Sequence, residues 1–120
     1  MLVTVSEAIG DMDAREATQL VLEWRDQRLV IDDEAVVELG TSRDTDLAIE
    51  GSFASRQHAL VERRNQYYIL VDHSTNGTYV QTEDEQVTFL RRGEMRLWGS
   101  GWIALGEPLS GASAIRFDHT

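Results

Sequence analysis

Residues 58–82 run HALVERRNQYYILVDHSTNGTYVQT. Three short apolar runs, HALVER, YYILV and TYVQ, are separated by the turn ERRNQ and by the polar stretch DHSTNG. Runs this short, bounded by Asn, Asp, Ser and Gly, predict strands rather than helices, whose apolar faces recur every three or four residues over a longer span. Asn76-Gly77 is a hairpin signal, because both residues tolerate positive φ.

The same pattern continues in both directions. Upstream, TQLVLEW alternates, with Leu20, Leu22 and Trp24 on one face and Gln19 and Glu23 on the other. That is the period-two signature of a half-buried strand. RLVI, AVVEL and DLAI follow it, and downstream come VTFL, MRLW, WIAL and AIRF. The turns between them (WRDQR, IEGS, QTEDEQ, LRRGE, WGSG) carry the expected turn residues. Eleven runs at this spacing with no helical period predict an all-β chain, an antiparallel β-sandwich or barrel. Pro108 interrupts none of them. The tryptophans Trp24, Trp98 and Trp102 fall inside strand patterns and are expected in core or edge packing. Residues 1–16 are acidic and weakly patterned, a linker or a short helix from Ser6, so the domain is expected over 17–120.

Composition narrows the chemistry. The chain has 120 residues, enough for one core. It has no cysteine, which excludes disulfides, thiolate nucleophiles and cysteine-ligated zinc. No run of 18 apolar residues and no secretory leader pattern is present, so the expectation is no membrane partner and a cytoplasmic setting. Net charge is −10, and all eleven basic residues are arginine, a poor balance for neutralising nucleic-acid phosphates. The acids are uneven: residues 1–38 hold ten against three arginines, whereas residues 39–81 hold five against four. An anion is therefore repelled least by the middle third.

Three polar loops in that region mix hydroxyls or amides with glycine: GTSRDTD (40–46), GSFASRQH (51–58) and DHSTNGT (72–78). Short donors, free turn N–H groups and an arginine fork are what an oxyanion needs. Each has a plainer reading. Asn76-Gly77 is sufficient as a turn, and His58 before ALV is expected as a hydrogen-bonded histidine at the edge of the core. Ser55 and His58 with Asp72 form at most part of a nucleophilic triad, without a G-x-S-x-G elbow. Asp72-His73 alone is a weak metal signal, and Arg91-Arg92 reads as a solvated turn. No catalytic residue, metal or cofactor is assigned.

In combination the motifs say more. S-R-x-H at 55–58 and D-x-S-x-N-G-T at 72–78, with Gly40 fifteen residues before Ser55, resemble a forkhead-associated (FHA) domain from about Thr18 to Phe117. The resemblance implies an eleven-stranded antiparallel β-sandwich of the SMAD/FHA-like type. It also implies a phosphothreonine-containing protein or peptide as partner, read by loops at one end. It assigns the phosphopeptide to Thr41, Arg43, Ser55, Arg56, Ser74, Thr75 and Asn76. Ser55 and Thr75 would take the phosphate, Arg56 the phosphate or the peptide backbone, and Asn76 the peptide main chain. Gly40, His58, Asp72, Gly77 and Thr78 are implied as structural motif residues. The sequence departs from the family pattern once: the arginine that follows the glycine is Thr41 here, and Arg43 is the nearest replacement. Threonine supplies no charge and no bidentate fork. That opens the alternative of an FHA-fold interaction or autoregulatory domain without phosphate dependence. FLRRGEMRLWGSGWIALGE followed by AIRF resembles FHA segments attached to bacterial class III adenylate cyclases. This further resemblance implies intramolecular docking to a cyclase or another signalling enzyme.

Overall fold

A computed structural model describes residues 19–32, 36–109 and 114–119. The acidic stretch 1–16 lies outside the described residues. Eleven strands form: β1 Leu20–Trp24, β2 Gln27–Ile31, β3 Val36–Gly40, β4 Leu47–Ala48, β5 Ala59–Arg64, β6 Tyr67–Asp72, β7 Thr78–Thr82, β8 Val87–Leu90, β9 Glu94–Leu97, β10 Ser100–Leu105 and β11 Ile115–His119. No helix long and apolar enough to cross a membrane occurs among the described residues.

The strands make two sheets. One has six strands in the order β2-β1-β11-β10-β7-β8, the other five in the order β4-β3-β5-β6-β9. Alternation drives their packing. Leu20, Leu22, Val61, Leu70, Val80, Ile103, Ile115 and Phe117 turn inward and are sealed from solvent. Full burial of such a side chain contributes about 1.5–3 kcal/mol, which is why the period-two pattern dominates the fold. At one end of the sandwich the inward positions change character. After Tyr68 and Leu70 the next inward residue of β6 is Asp72, and the first of β7 is Thr78, both buried. A polar plug thus closes the core where the loops 73–77, 41–46 and 49–58 emerge.

Two sequence expectations change. Not every ladder is antiparallel: β3 and β4 pair in parallel, with Leu39 beside Leu47 and Gly40 beside Ala48. DLAI also yields only two strand residues. The cause is the fold of loop 41–46. The Thr45 N–H returns to the Ser42 carbonyl, and the Asp46 carboxylate accepts from the Glu38 N–H. The chain is thereby brought back beside β3 before it restarts, and this return buries Leu47 and Ile49. The tryptophans also divide. Trp24 is buried, whereas Trp98 is half exposed and Trp102 lies on the outer sheet face beneath Arg116.

A buried tyrosine adds one of the polar bonds that tie the sheets together. The buried Tyr68 hydroxyl donates to the Ile31 carbonyl across the sandwich at 2.8 Å and accepts from Arg63 Nη1 at 3.3 Å. Removing the hydroxyl in Tyr68→Phe leaves the Ile31 carbonyl without that partner. The expected loss is about 1–3 kcal/mol, read as a lowered urea midpoint with an unchanged denaturant slope.

Candidate functional site

The site begins at a glycine. Gly40 ends β3, and a Cβ there would collide with the Arg56 carbonyl, so only glycine lets loops 41–46 and 49–58 lie side by side. Across that contact the Thr41 N–H donates to the Ser55 carbonyl and the Ser42 N–H to the Arg56 carbonyl, each at 3.1 Å.

His58 joins these loops to the third. Its ring is fully buried. The Ser55 N–H donates to Nδ1 at 2.9 Å, and Nε2 lies 2.8 Å from the Gly77 carbonyl. A backbone N–H can only donate, so Nδ1 is the acceptor and Nε2 carries the proton. The ring is therefore neutral and holds one tautomer. The Gly106 N–H gives the Gly77 carbonyl its second bond, at 2.9 Å. Gly77 sits at φ +90°, where a Cβ would strike the Phe89 ring. The turn needs glycine there for both reasons.

Behind His58 lies Asp72, 3.7 Å away and buried with it. Its carboxylate receives four hydrogen bonds: Ser74 Oγ at 2.7 Å and Thr78 Oγ1 at 2.6 Å on Oδ1, the Ser74 N–H at 3.1 Å and the Arg92 N–H at 2.9 Å on Oδ2. A carboxylate so satisfied stays ionised without a cation. Burial pushes its pKa up, but the Thr78 hydroxyl, the Arg92 N–H and the Ser74 donors outweigh that and hold it below the ordinary value. For His58, burial is the larger effect and pushes the pKa down, against the Gly77 bond and the Asp72 charge.

The expected site residues separate into two groups. Ser55 is half-buried, Thr75 and Asn76 are exposed, and the Thr75 N–H meets Ser55 Oγ at 3.5 Å. Asn76 is anchored by donating Nδ2 to the Phe53 carbonyl at 3.0 Å. Thr41 borders them, and Arg56 lines an open cup of about 340 Å³ with Ser42, Asp44 and Gln57. Arg43 stands exposed on its turn, without a side-chain bond to the described residues. Ser74 differs from the expectation. It is fully buried, donates its hydroxyl to Asp72 and accepts the Gly77 N–H at 2.7 Å, so both its capacities serve the loop. Asp72, Gly77, Thr78, His58 and Gly40 form the frame beneath.

Sequence reasoning missed Arg92. The turn is solvent-exposed as expected, but Arg92 takes φ +58°, aims its N–H at Asp72, and gives Nε to the Ser74 carbonyl at 3.0 Å. The L-R-R-G turn signal marked the position, but not the contact. Gly106 and the Phe53 carbonyl carried no signal of their own. Among the described residues, no group of three His, Cys, Asp or Glu side chains is arranged to hold a metal ion.

The FHA domain family model matches residues 37–95, the stretch that holds these three loops and the Arg92 turn. Solved structures share the fold. FHA-1 of Mycobacterium tuberculosis Rv1747 superposes with a TM-score of 0.68 at 18% identity, over 86% of this chain and 97% of its own. A domain from a structural and functional analysis of phosphothreonine-dependent FHA domain interactions gives 0.62 at 22%, over 83% and 95%. Mycobacterium tuberculosis EmbR in complex with a low-affinity phosphopeptide gives 0.67 at 19%, over 96% of this chain but 29% of EmbR. No curated protein matches the chain in sequence.

The pH dependence of stability follows from the plug. The folded pKa of His58 lies below the ordinary 6.5, so the unfolded chain binds the extra proton first. This contribution is complete above pH 6.5 and is lost as the pH falls below it. That of Asp72 is complete above its ordinary 3.8 and is lost below. Urea unfolding at descending pH should show stability declining below 6.5, and His58→Gln should flatten that first decline.

Proposed function

The chain belongs to the FHA domain family, and from that premise we propose that it is a non-enzymatic module that reads phosphothreonine in a partner protein. One observation carries this reading. A single buried imidazole holds Ser55 beside the turn that presents Thr75 and Asn76, joining two loops at one end of the sandwich. Ser55 and Thr75 supply hydroxyl donors to the phosphate, Arg56 and Arg43 supply positive charge, and Asn76 meets the peptide main chain. A phosphothreonine brings about −1.5 to −2 charges and three acceptor oxygens. Hydrogen bonds to such a group contribute about 1.5–3 kcal/mol each, and several suffice for a micromolar peptide complex after ordering costs. The phosphopeptide-bound EmbR and the phosphothreonine-dependent FHA relative support the choice of ligand. Attachment to an adenylate cyclase, with the acidic residues 1–16 as linker, is a narrower proposal that rests on the C-terminal sequence resemblance.

A titration of isotopically labelled protein with a phosphothreonine peptide tests the reading. Amide shifts are expected in 41–46, 52–57 and 73–77, absent with the unphosphorylated peptide and lost in Ser55→Ala. Identical responses to the two peptides would overturn it.

Thr41 favours a second reading, a domain of this fold that docks on a signalling enzyme without needing phosphate. Thr41→Arg separates the two. If the charge is simply missing, the variant should bind phosphopeptide more tightly by about 2 kcal/mol, roughly thirtyfold. If Arg43 already serves, calorimetry will show little change.

A further inference from the structure

Among the described residues β8 is an open sheet edge, and its sequence neighbourhood is self-complementary. We propose that it pairs antiparallel with β8 of a second copy of this chain, across a two-fold axis beside Thr88.

Among the described residues, four strands lie at sheet edges: β2, β8, β4 and β9. Natural edges are blunted by charge, proline or shortness. β2 carries Arg28, β9 carries Glu94 and Arg96, and β4 has two residues. β8, Val-Thr-Phe-Leu, carries neither a charge nor a proline. Val87 is 54% exposed and Phe89 49%. Both point to the outer face of the sheet, opposite Gln81 and Tyr79 respectively, and the Phe89 and Tyr79 rings lie 4.8 Å apart.

Hydrogen-bond alternation shows which main-chain groups are open. The Thr82 N–H donates to the Gln86 carbonyl at the head of the hairpin. The bonded pairs across β7 and β8 are then Val80–Thr88 and Thr78–Leu90, every second position along the regular register. Val87 and Phe89 therefore turn their N–H and C=O groups away from β7, to the free side.

A two-fold axis beside Thr88 sets Val87 opposite the partner's Phe89, so that these groups exchange hydrogen bonds in both directions. It also makes two cross-strand aromatic–β-branched pairs on the outer face. The flanking charges agree. β8 is preceded by Glu83-Asp84-Glu85 and followed by Arg91-Arg92. The same register brings Glu85 against the partner's Arg91, twice by symmetry. Arg91 is exposed and makes no ion pair with the described residues. An isologous contact of this kind closes at two copies, because each open edge is consumed.

Sedimentation velocity over a concentration series tests the pairing. The net charge of −10 on each copy opposes association, so the runs are made near 0.15 M salt, where the Debye length is about 8 Å. The wild type should show a monomer–dimer equilibrium. Val87→Lys, Glu85→Arg and Arg91→Glu should each weaken it at least tenfold while keeping the wild-type urea midpoint. An equimolar mixture of Glu85→Arg and Arg91→Glu should dimerise again, because each copy then faces an opposite charge at both contacts. A wild type that stays monomeric throughout, a dimer that Val87→Lys leaves unmoved, or a mixture that fails to recover would overturn the proposal.

Discussion

A neutral imidazole buried at position 58 is the piece on which the loop end of this sandwich depends. It accepts from the main chain of one loop and donates to the main chain of another, so its proton position sets the distance between Ser55 and Gly77. The Asp72 carboxylate behind it, bonded to Ser74, Thr78 and Arg92, fixes the loop that His58 grips. The arrangement needs polar groups at the end of an otherwise apolar core, which is costly unless every one is paired. Here each is. The core therefore ends in a network that has one satisfied geometry, and the exposed residues inherit that geometry.

That dependence explains why exposed and buried residues of one motif play different parts. In S-T-N-G-T, three of the five positions are consumed inside: Ser74 and Thr78 by Asp72, and Gly77 by its φ and the Phe89 ring. Thr75 and Asn76 are left facing out. A loop whose inner residues are rigidly bonded presents its outer ones without an ordering cost at binding, which is where rigid scaffolds gain affinity.

The strand framework was legible because burial alternates along single runs: Leu20, Leu22 and Trp24, or Tyr68 and Leu70, report their faces to a reader of the sequence alone. The parallel β3–β4 pairing was not, since it depends on how Thr45 and Asp46 fold back onto Ser42 and Glu38. The S-R-x-H and D-x-S-x-N-G-T motifs fall on loops that the fold brings together at one end of the sandwich. They did not distinguish Ser74 from Thr75, because both are small hydroxyl residues and only the direction of the side chain separates them. Arg92 escaped for a related reason. Its use lies in a left-handed backbone that aims its N–H, and an arginine pair in a turn gives no hint of that.

The loops also have a polarity set by their carbonyls. Those of Ser55, Arg56, His58, Ser74 and Phe53 each accept from a neighbouring loop or turn, and that of Gly77 accepts twice. What this end turns outward is mainly hydroxyl, amide and guanidinium, with Asp44 the carboxylate at the cup. Six main-chain acceptors at this end are therefore engaged within the protein itself. Hydrogen-bond direction at the loop end is thus set in part by the main chain, whatever the sign of the protein's total charge.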